Sequence, residues 1–376
     1  MNVVRWGIVG CGEVTEKKSG PAFQKADGSE LVAVTRRDLA KAEDYARRHN
    51  VPCVHRTADD LIGAPDVDAV YIATHPSSHC ELALKAAAAG KPCLVEKPMA
   101  TNYGECVRMI EAFGGRQVPL WVAYYRRALP RFLKMRELVR DRAIGDLTSI
   151  HVRVTTQLAT GEAAKAWRLD GDIAGAGLFL DLGSHLFDLI DFVAGPITRV
   201  AGFAINTGRT YSVEDVTAAS FQIGDKVVGT GIWNFNAPES GDSIVLTGSQ
   251  GEMSTAVLGD EDVVVTRNGS QNRYRFRNPP HVHQPLVQTI VDELLGRGRC
   301  ESPAETGARA SWVMERCLES YYKEEGRRNR ERGGPVLSPP LYSLTLFLFP
   351  FAFFLTDLLT AFPHRRSGAT RSPCDP

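Results

Sequence analysis

Within residues 1–123, short β-branched runs alternate with Ala-rich helical stretches, and the runs are apolar almost throughout. The runs are residues 3–9, 31–35, 68–73 and 92–96; between them lie helical patterns at Leu39–His49, 77–89 and 102–113. A strand apolar on both faces must be covered on both faces, and a helix between successive strands makes them parallel. This alternation predicts a doubly wound α/β domain over residues 1–123.

The pattern changes after Pro130. A helix over 131–140 leads into runs at 146–155, 200–206, Val216–Ile223, 226–235, 243–247, 262–267 and 273–276, in which polar and apolar residues alternate. Turn pairs such as Gly224-Asp225 and Asn268-Gly269 join them. Alternation with period two describes a sheet with one covered face, here open and mainly antiparallel. Two closing helices, 283–295 and 303–322, complete a second, α+β domain over residues 124–325. Residues 326–376 form an atypical tail: a charge run, a Gly/Pro breaker, then the apolar segment 341–362. That segment reaches the ~20 residues of a membrane span, but Pro350 and Asp357 lie inside it. A disordered or artefactual tail is preferred over a membrane anchor.

Lys plus Arg and Asp plus Glu are both 44, so the formal net charge is zero and no field draws the chain to nucleic acid. The eight cysteines, at 11, 53, 80, 93, 106, 300, 317 and 374, form no CxxC pair and no regular framework. With no signal-like stretch at the N-terminus, they read as reduced thiols of a cytoplasmic protein. Metal binding is not expected: His281 and His283 have a workable spacing but no acidic or thiol partner nearby, and a surface or helix-entry place is expected for them.

The first strand runs into Gly7-Ile8-Val9-Gly10-Cys11-Gly12-Glu13-Val14-Thr15. Gly10 permits a tight turn, and Gly12 lets backbone approach a pyrophosphate with no Cβ in the way. Thr15 stands where a third glycine is usual, and Gly20-Pro21 should interrupt the following helix. The second strand ends Thr35-Arg36-Arg37-Asp38. A hydroxyl and two guanidinium groups suit the 2′-phosphate of NADP, since Arg forms paired charge-assisted hydrogen bonds to phosphate. NADP is therefore expected over NAD, with Asp38 as the feature favouring the reverse.

Residues 93–98 read Cys-Leu-Val-Glu-Lys-Pro, which puts Glu96 and Lys97 at the carboxyl end of a strand, where ligands of an open parallel sheet sit. A lysine in such a cleft serves as general acid or base. Together with Gly7 to Gly12, the segments Ala73-Thr74-His75-Pro76-Ser77-Ser78-His79, Glu96-Lys97-Pro98, Tyr125-Arg126-Arg127 and Gly175 to His185 carry a resemblance. Over residues 1–325 the chain resembles the glucose–fructose oxidoreductase/inositol dehydrogenase (Gfo/Idh/MocA) family of NAD(P)-dependent oxidoreductases, most of all its NADP-linked dihydrodiol and D-xylose dehydrogenase branch. The resemblance implies a Rossmann domain and an α+β domain whose open sheet mediates oligomer contacts. It implies that Lys97 touches both nicotinamide ribose and substrate, that the Lys97-Pro98 bond is cis, and that Asp181 and His185 are active-site residues.

On the residues alone, His185 titrates near neutrality and could exchange a proton with a substrate hydroxyl. Asp181 could orient it, or simply cap the helix; Asp188 is expected to be structural. Gly175 and Gly177 would let this segment pass close to a ligand. Tyr125 and Arg126 are candidate substrate contacts. So are Trp167 and Arg168, although a packing role for the tryptophan fits equally. Ala73, Thr74, His75 and His79 are placed with Glu96 and Lys97 at the cofactor, with a helix-capping role for His79 as the alternative. The expectation is an oxidoreductase moving hydride between NADP and a secondary alcohol of a small polyhydroxylated substrate: a sugar, cyclitol or dihydrodiol. Reduction of a ketone, imine or conjugated double bond, or non-catalytic NADP binding, are the alternatives.

Overall fold

The computed structural model describes residues 2–331, with side chains to residue 325. The tail segment 341–362 lies outside the described residues. Six parallel strands build the first sheet: β1 (Val4–Val9), β2 (Ser29–Thr35), β3 (Cys53–Val54), β4 (Ala69–Ile72), β5 (Cys93–Val95) and β6 (Leu120–Val122). Their order, β3-β2-β1-β4-β5-β6, reverses direction between β1 and β4, which opens a crevice at the carboxyl ends of those two strands. The apolar runs are buried on both faces, as their composition requires. Trp6 and Ile8 pack with Phe23, Tyr45 and Tyr71 on one side, while Val9, Val70 and Ile72 pack with Leu61 and Met109 on the other.

The expected interruption after β1 is present: α1 (Glu13–Lys17) ends, and α2 (Gly20–Lys25) starts anew with Pro21 in its first turn. The crossover helices α3 (Leu39–His49), α4 (Ala58–Gly63), α5 (His79–Ala88) and α6 (Tyr103–Gly114) follow. Asp38, Thr57 and Asn102 cap α3, α4 and α6 through their side chains, each accepting an otherwise orphan backbone N–H.

After α7 (Pro130–Arg140) comes an eight-stranded sheet, β7 (Leu147–Thr155), β8 (Ile197–Ile205), β9 (Val216–Ile223), β10 (Val227–Asn234), β11 (Gly241–Gly248), β12 (Gly251–Thr255), β13 (Val263–Arg267) and β14 (Ser270–Tyr274). Its order is β14-β13-β12-β11-β7-β10-β9-β8, antiparallel except where β7 and β10 run parallel. Asn268 and Gly269 both take positive φ in the β13–β14 turn, which matches the twist of a two-residue hairpin. Strand β12 was not anticipated: its sequence, Gly-Glu-Met-Ser-Thr, alternates too weakly to announce a strand.

Between β7 and β8 lie α8 (Gly171–Ala174) and α9 (Ser184–Ala194), and β14 is followed by α10 (Gln284–Leu294) and α11 (Ala304–Glu331). The 171–194 stretch is long and apolar enough to cross a membrane, but most of it is buried inside the protein. Helix α11 covers β8 and packs on α9. Helix α10 departs from the expectation that both closing helices belong with the second sheet. Its Leu286, Val287, Ile290 and Val291 pack into the first sheet's core beside Trp6 and Phe23, and the chain then pairs with the β6 edge through Val122 and Ser302.

Candidate active site

The turn after β1 has the form a dinucleotide needs. Gly10 sits at φ +94°, and its N–H and that of Cys11 both donate to Thr35 O at the end of β2. A Cβ at Gly12 would meet nothing nearer than Gly10 O at 3.8 Å, so the turn is open on that side. The Cys11 side chain is buried, and burial pushes the thiol up to about 11. Glu13 is exposed and Val14 half-buried beside it.

Gly7 lies within β1, and a Cβ there would strike Leu61 at 2.6 Å, so this glycine admits α4 to the sheet. Residue 15 is likewise no failed glycine. Thr15 Oγ1 donates to Gly12 O at 2.8 Å, and the close approach falls instead at Gly20, where a Cβ would lie 2.2 Å from Thr15 O.

At the end of β2, Thr35 is buried and Arg36 donates from Nη1 to Cys11 O at 3.2 Å, which holds its guanidinium over the glycine turn. Arg37 is exposed. The carboxylate of Asp38 accepts from Lys41 N and faces Lys41 Nζ at 3.3 Å, so it is engaged as a helix cap.

Ala73 and Thr74 follow β4, Ala73 N donating to Val9 O. His75 stacks on Trp167, ring centroids 4.6 Å apart, and the Arg168 guanidinium lies 4.5 Å from the Trp167 ring. Trp167 thus joins its loop to the loop after β4, the packing role of its two expected alternatives. His79 is fully buried, its ring nitrogens 3.1 Å from Thr74 O and Pro98 O. It braces the two loops from behind and makes no side-chain cap of α5.

Glu96 is buried, and its carboxylate accepts from Tyr71 Oη, from His283 at 3.1 Å and from Lys97 N at 3.2 Å. Burial alone would raise its pKa, but His283, Tyr71 and the Lys97 charge outweigh it and leave the group below the usual carboxylate range. His283 stands at the entry of α10, the helix-entry place expected for it, but it is 1% exposed and not on the surface. The Lys97-Pro98 bond is cis, and the loop it belongs to delivers the Lys97 side chain to the far wall of the crevice.

That wall is a single π-helical turn, Phe179–Gly183, running into α9. Such turns widen the helix locally and re-aim side chains. Asp181 takes its place there, not as the cap of α9: its carboxylate accepts from Lys97 Nζ and faces Arg168 Nε at 3.2 Å. Burial pushes the Asp181 carboxyl up, but the Lys97 and Arg168 charges win and hold it below its ordinary value. Gly175 and Gly177, expected against a ligand, approach protein instead: a Cβ at Gly175 would sit 2.8 Å from Thr101 O, and one at Gly177 2.5 Å from Glu214 O.

His185 follows one turn after Asp181. It is 6% exposed, its Nδ1 is buried without a partner, and its ring stands edge-on to Tyr125 at 5.7 Å. Burial above all, then the Arg126, Lys97 and His283 charges, drive its pKa well below the usual 6.5, so it is a neutral imidazole at pH 7. Tyr125 in turn lies 4.6 Å from the His283 ring, and Arg126 4.9 Å from the Tyr125 ring. Asp188 points away from the crevice to Arg127, which it meets at 2.9 Å, with Asp191 at 3.2 Å. The described residues hold no cluster of His, Cys, Asp or Glu fit for a metal ion.

Ammonium and carboxylate thus meet at the end of β5, and the imidazole follows one turn later on the same element as the carboxylate, an arrangement suited to moving a proton while a dinucleotide takes a hydride. Known proteins share both halves of the frame. An oxidoreductase, P35, of Formosa agariphila is 36% identical over 83% of this chain and 97% of its own length. Trans-1,2-dihydrobenzene-1,2-diol dehydrogenase of Sus scrofa is 28% identical over 60% of this chain and 67% of its own. A levoglucosan dehydrogenase solved with NADH and levoglucosan superposes with a TM-score of 0.77 at 18% identity, covering 85% of this chain and 97% of the other. Residues 4–124 match GFO_IDH_MocA, an oxidoreductase family with an NAD-binding Rossmann fold, and residues 132–254 match the GFO/IDH/MocA C-terminal domain; the chain belongs to this family of NAD(P)-binding oxidoreductases.

Proposed function

We propose that this protein is an NADP-dependent dehydrogenase that oxidises a secondary alcohol of a small polyhydroxylated substrate, a sugar, cyclitol or dihydrodiol. The observation that carries the reading is the Lys97–Asp181 ion pair at the end of β5, with His185 one turn after Asp181 and within reach of the Lys97 charge. Relatives named for dihydrodiol oxidation and for 1,5-anhydro-D-fructose reduction support the substrate class. Thr35 and Arg36, with Asp38 engaged as a cap, support NADP over NAD.

The backbone of the Gly10–Val14 turn would hold the pyrophosphate, and Thr35 with Arg36 the 2′-phosphate. When bound, the nicotinamide supplies the hydride acceptor. A neutral His185 accepts the hydroxyl proton; the Lys97 ammonium, oriented by Asp181, hydrogen-bonds the same oxygen and stabilises the charge that develops as the C–H bond breaks. Asp181 in turn is positioned by Arg168. At pH 7 His185 is the neutral imidazole, the form that a proton acceptor must have.

Assembly follows the open sheet. Phe203 (77% exposed), Ala218 and Ile232 (38% exposed) form a cross-strand row on the uncovered face of β8, β9 and β10, beside Val228 and Ile205. A second copy of this chain is the occupant we assign to it. Cytoplasmic location is part of the same proposal.

The test is a screen of NADP+ and NAD+ reduction against sugars, inositols and dihydrodiols. Turnover of at least one such alcohol with a lower KM for NADP+ is expected; a strong preference for NAD+ overturns the cofactor assignment, and reduction of carbonyl compounds alone overturns the direction.

A further inference from the structure

Arg126 is a charge without a counter-ion. It is 7% exposed, its Nε donates to Val257 O at 2.9 Å, and its Nη1 is buried with no hydrogen-bond partner. The Tyr125 phenol is the side-chain acceptor near it. The carboxylates whose fields reach it are engaged elsewhere: Asp242 accepts from the N–H groups of Val257, Leu258 and Gly259, and Asp188 is bonded to Arg127. Among the described residues it makes no ion pair.

The contrast with its neighbours is informative. Arg127, equally buried, meets two carboxylates; Arg131 makes no ion pair among the described residues and leaves its Nε without a partner, but both its terminal nitrogens rest on carbonyls, of Gly259 and Glu261, whereas a terminal nitrogen of Arg126 has nothing. Leaving a buried charge uncompensated is strongly destabilising, and an orphaned buried donor costs its full desolvation. Such a group persists where a ligand completes it.

The ligand is indicated by position. Arg126 lies against the Tyr125 ring, and the same ring stands against His185. Its charge is also the foremost ionic influence on that imidazole. The surroundings do not neutralise it: Lys97 and Arg168 already share one carboxylate, Asp181.

Resting on the proposed carbohydrate dehydrogenase, we infer that the substrate carries a carboxylate, as a uronic or aldonic acid does, and that Arg126 receives it. One uncompensated guanidinium with its Nε already engaged matches a monoanion. A phosphate ester would bring two charges where Arg126 offers one orphaned terminal nitrogen.

The test measures binding as well as turnover. Isothermal titration of the NADP+-loaded protein with D-glucuronate and D-galacturonate, against D-glucose and D-galactose, should show the acids bound about 10- to 100-fold more tightly. Arg126→Gln should erase that difference while leaving the NADP+ affinity unchanged. Equal or tighter binding of the neutral sugars by the unaltered protein overturns the inference, whatever the variant does. So does tighter binding of glucose 6-phosphate than of the uronates, a retained preference in Arg126→Gln, or loss of NADP+ binding in that folded variant, which would make a cofactor phosphate the counter-ion. Preferred uronate binding without NADP+ reduction would fell the dehydrogenase reading and leave the anion site standing; reduction with neutral sugars alone would do the opposite.

Discussion

The Lys97 ammonium, at the end of β5, donates to the Asp181 carboxylate 84 residues further on, in the π-turn that opens α9. Both side chains are 16% exposed, so the pair sits at the boundary between protein and crevice, where charge is little screened. Lys97→Ala should lower kcat by ~10²–10⁴, the usual loss for a proton-handling or charge-stabilising group. NADPH affinity, read by fluorescence titration, should change little. Near-normal turnover would remove Lys97 from the chemistry.

The depressed pKa of His185 has a consequence for stability as well as rate. Its folded value lies below the 6.5 of the unfolded chain, so the unfolded state binds the proton more readily. The stabilisation is full above pH 6.5 and is lost as pH falls toward the folded value. For alcohol oxidation, kcat/KM should stay flat through neutrality and fall only well below pH 6.5. His185→Asn should cut kcat by ~10²-fold or more and lose that acid limb; a profile with the limb unchanged would show that another group takes the proton.

Cofactor choice should follow Arg36. A hydrogen bond to a charged group contributes ~1.5–3 kcal/mol, so Arg36→Ala should raise KM for NADP+ by roughly 10- to 100-fold and leave that for NAD+ near its starting value. Parallel loss with both cofactors would mean that the contact to Cys11 O, and hence the shape of the turn, is what Arg36 supplies.

Arg127, with Asp188, Asp191 and Arg309, forms a buried network behind the site. Removing one member strands the rest. Arg127→Ala should cost ~3–5 kcal/mol in denaturant melts, whereas Phe203→Ser on the open sheet should leave stability within ~0.5 kcal/mol and shift the assembly toward monomer in light scattering. A stable Arg127→Ala protein would refute the network's weight.

The doubly wound sheet was legible because strands buried on both faces must be apolar throughout, and the glycine turn because its backbone requirement is local. Lys97, Asp181 and His185 could be singled out for similar reasons: each lies beside a glycine, a strand end or a helix start that restricts what it can do. His283 could not. Its partner Glu96 is 187 residues away, and a histidine in a polar stretch before a helix looks like a surface residue until the fold delivers it. Gly7 and His79 sit within the motifs that carry the family resemblance, yet each faces the protein's own packing.

The return of α10 to the first sheet bears on how such a chain can be divided. His283 supports Glu96, Leu286 and Ile290 fill the core beside Trp6, and Ser302 closes the β6 edge, all from sequence beyond the substrate sheet. An excised N-terminal segment would therefore carry an open flank and an unsupported lysine loop. The nucleotide-binding half is not a freestanding cassette, and recombination that swapped it without its distant closing strap would yield a protein lacking part of its own floor.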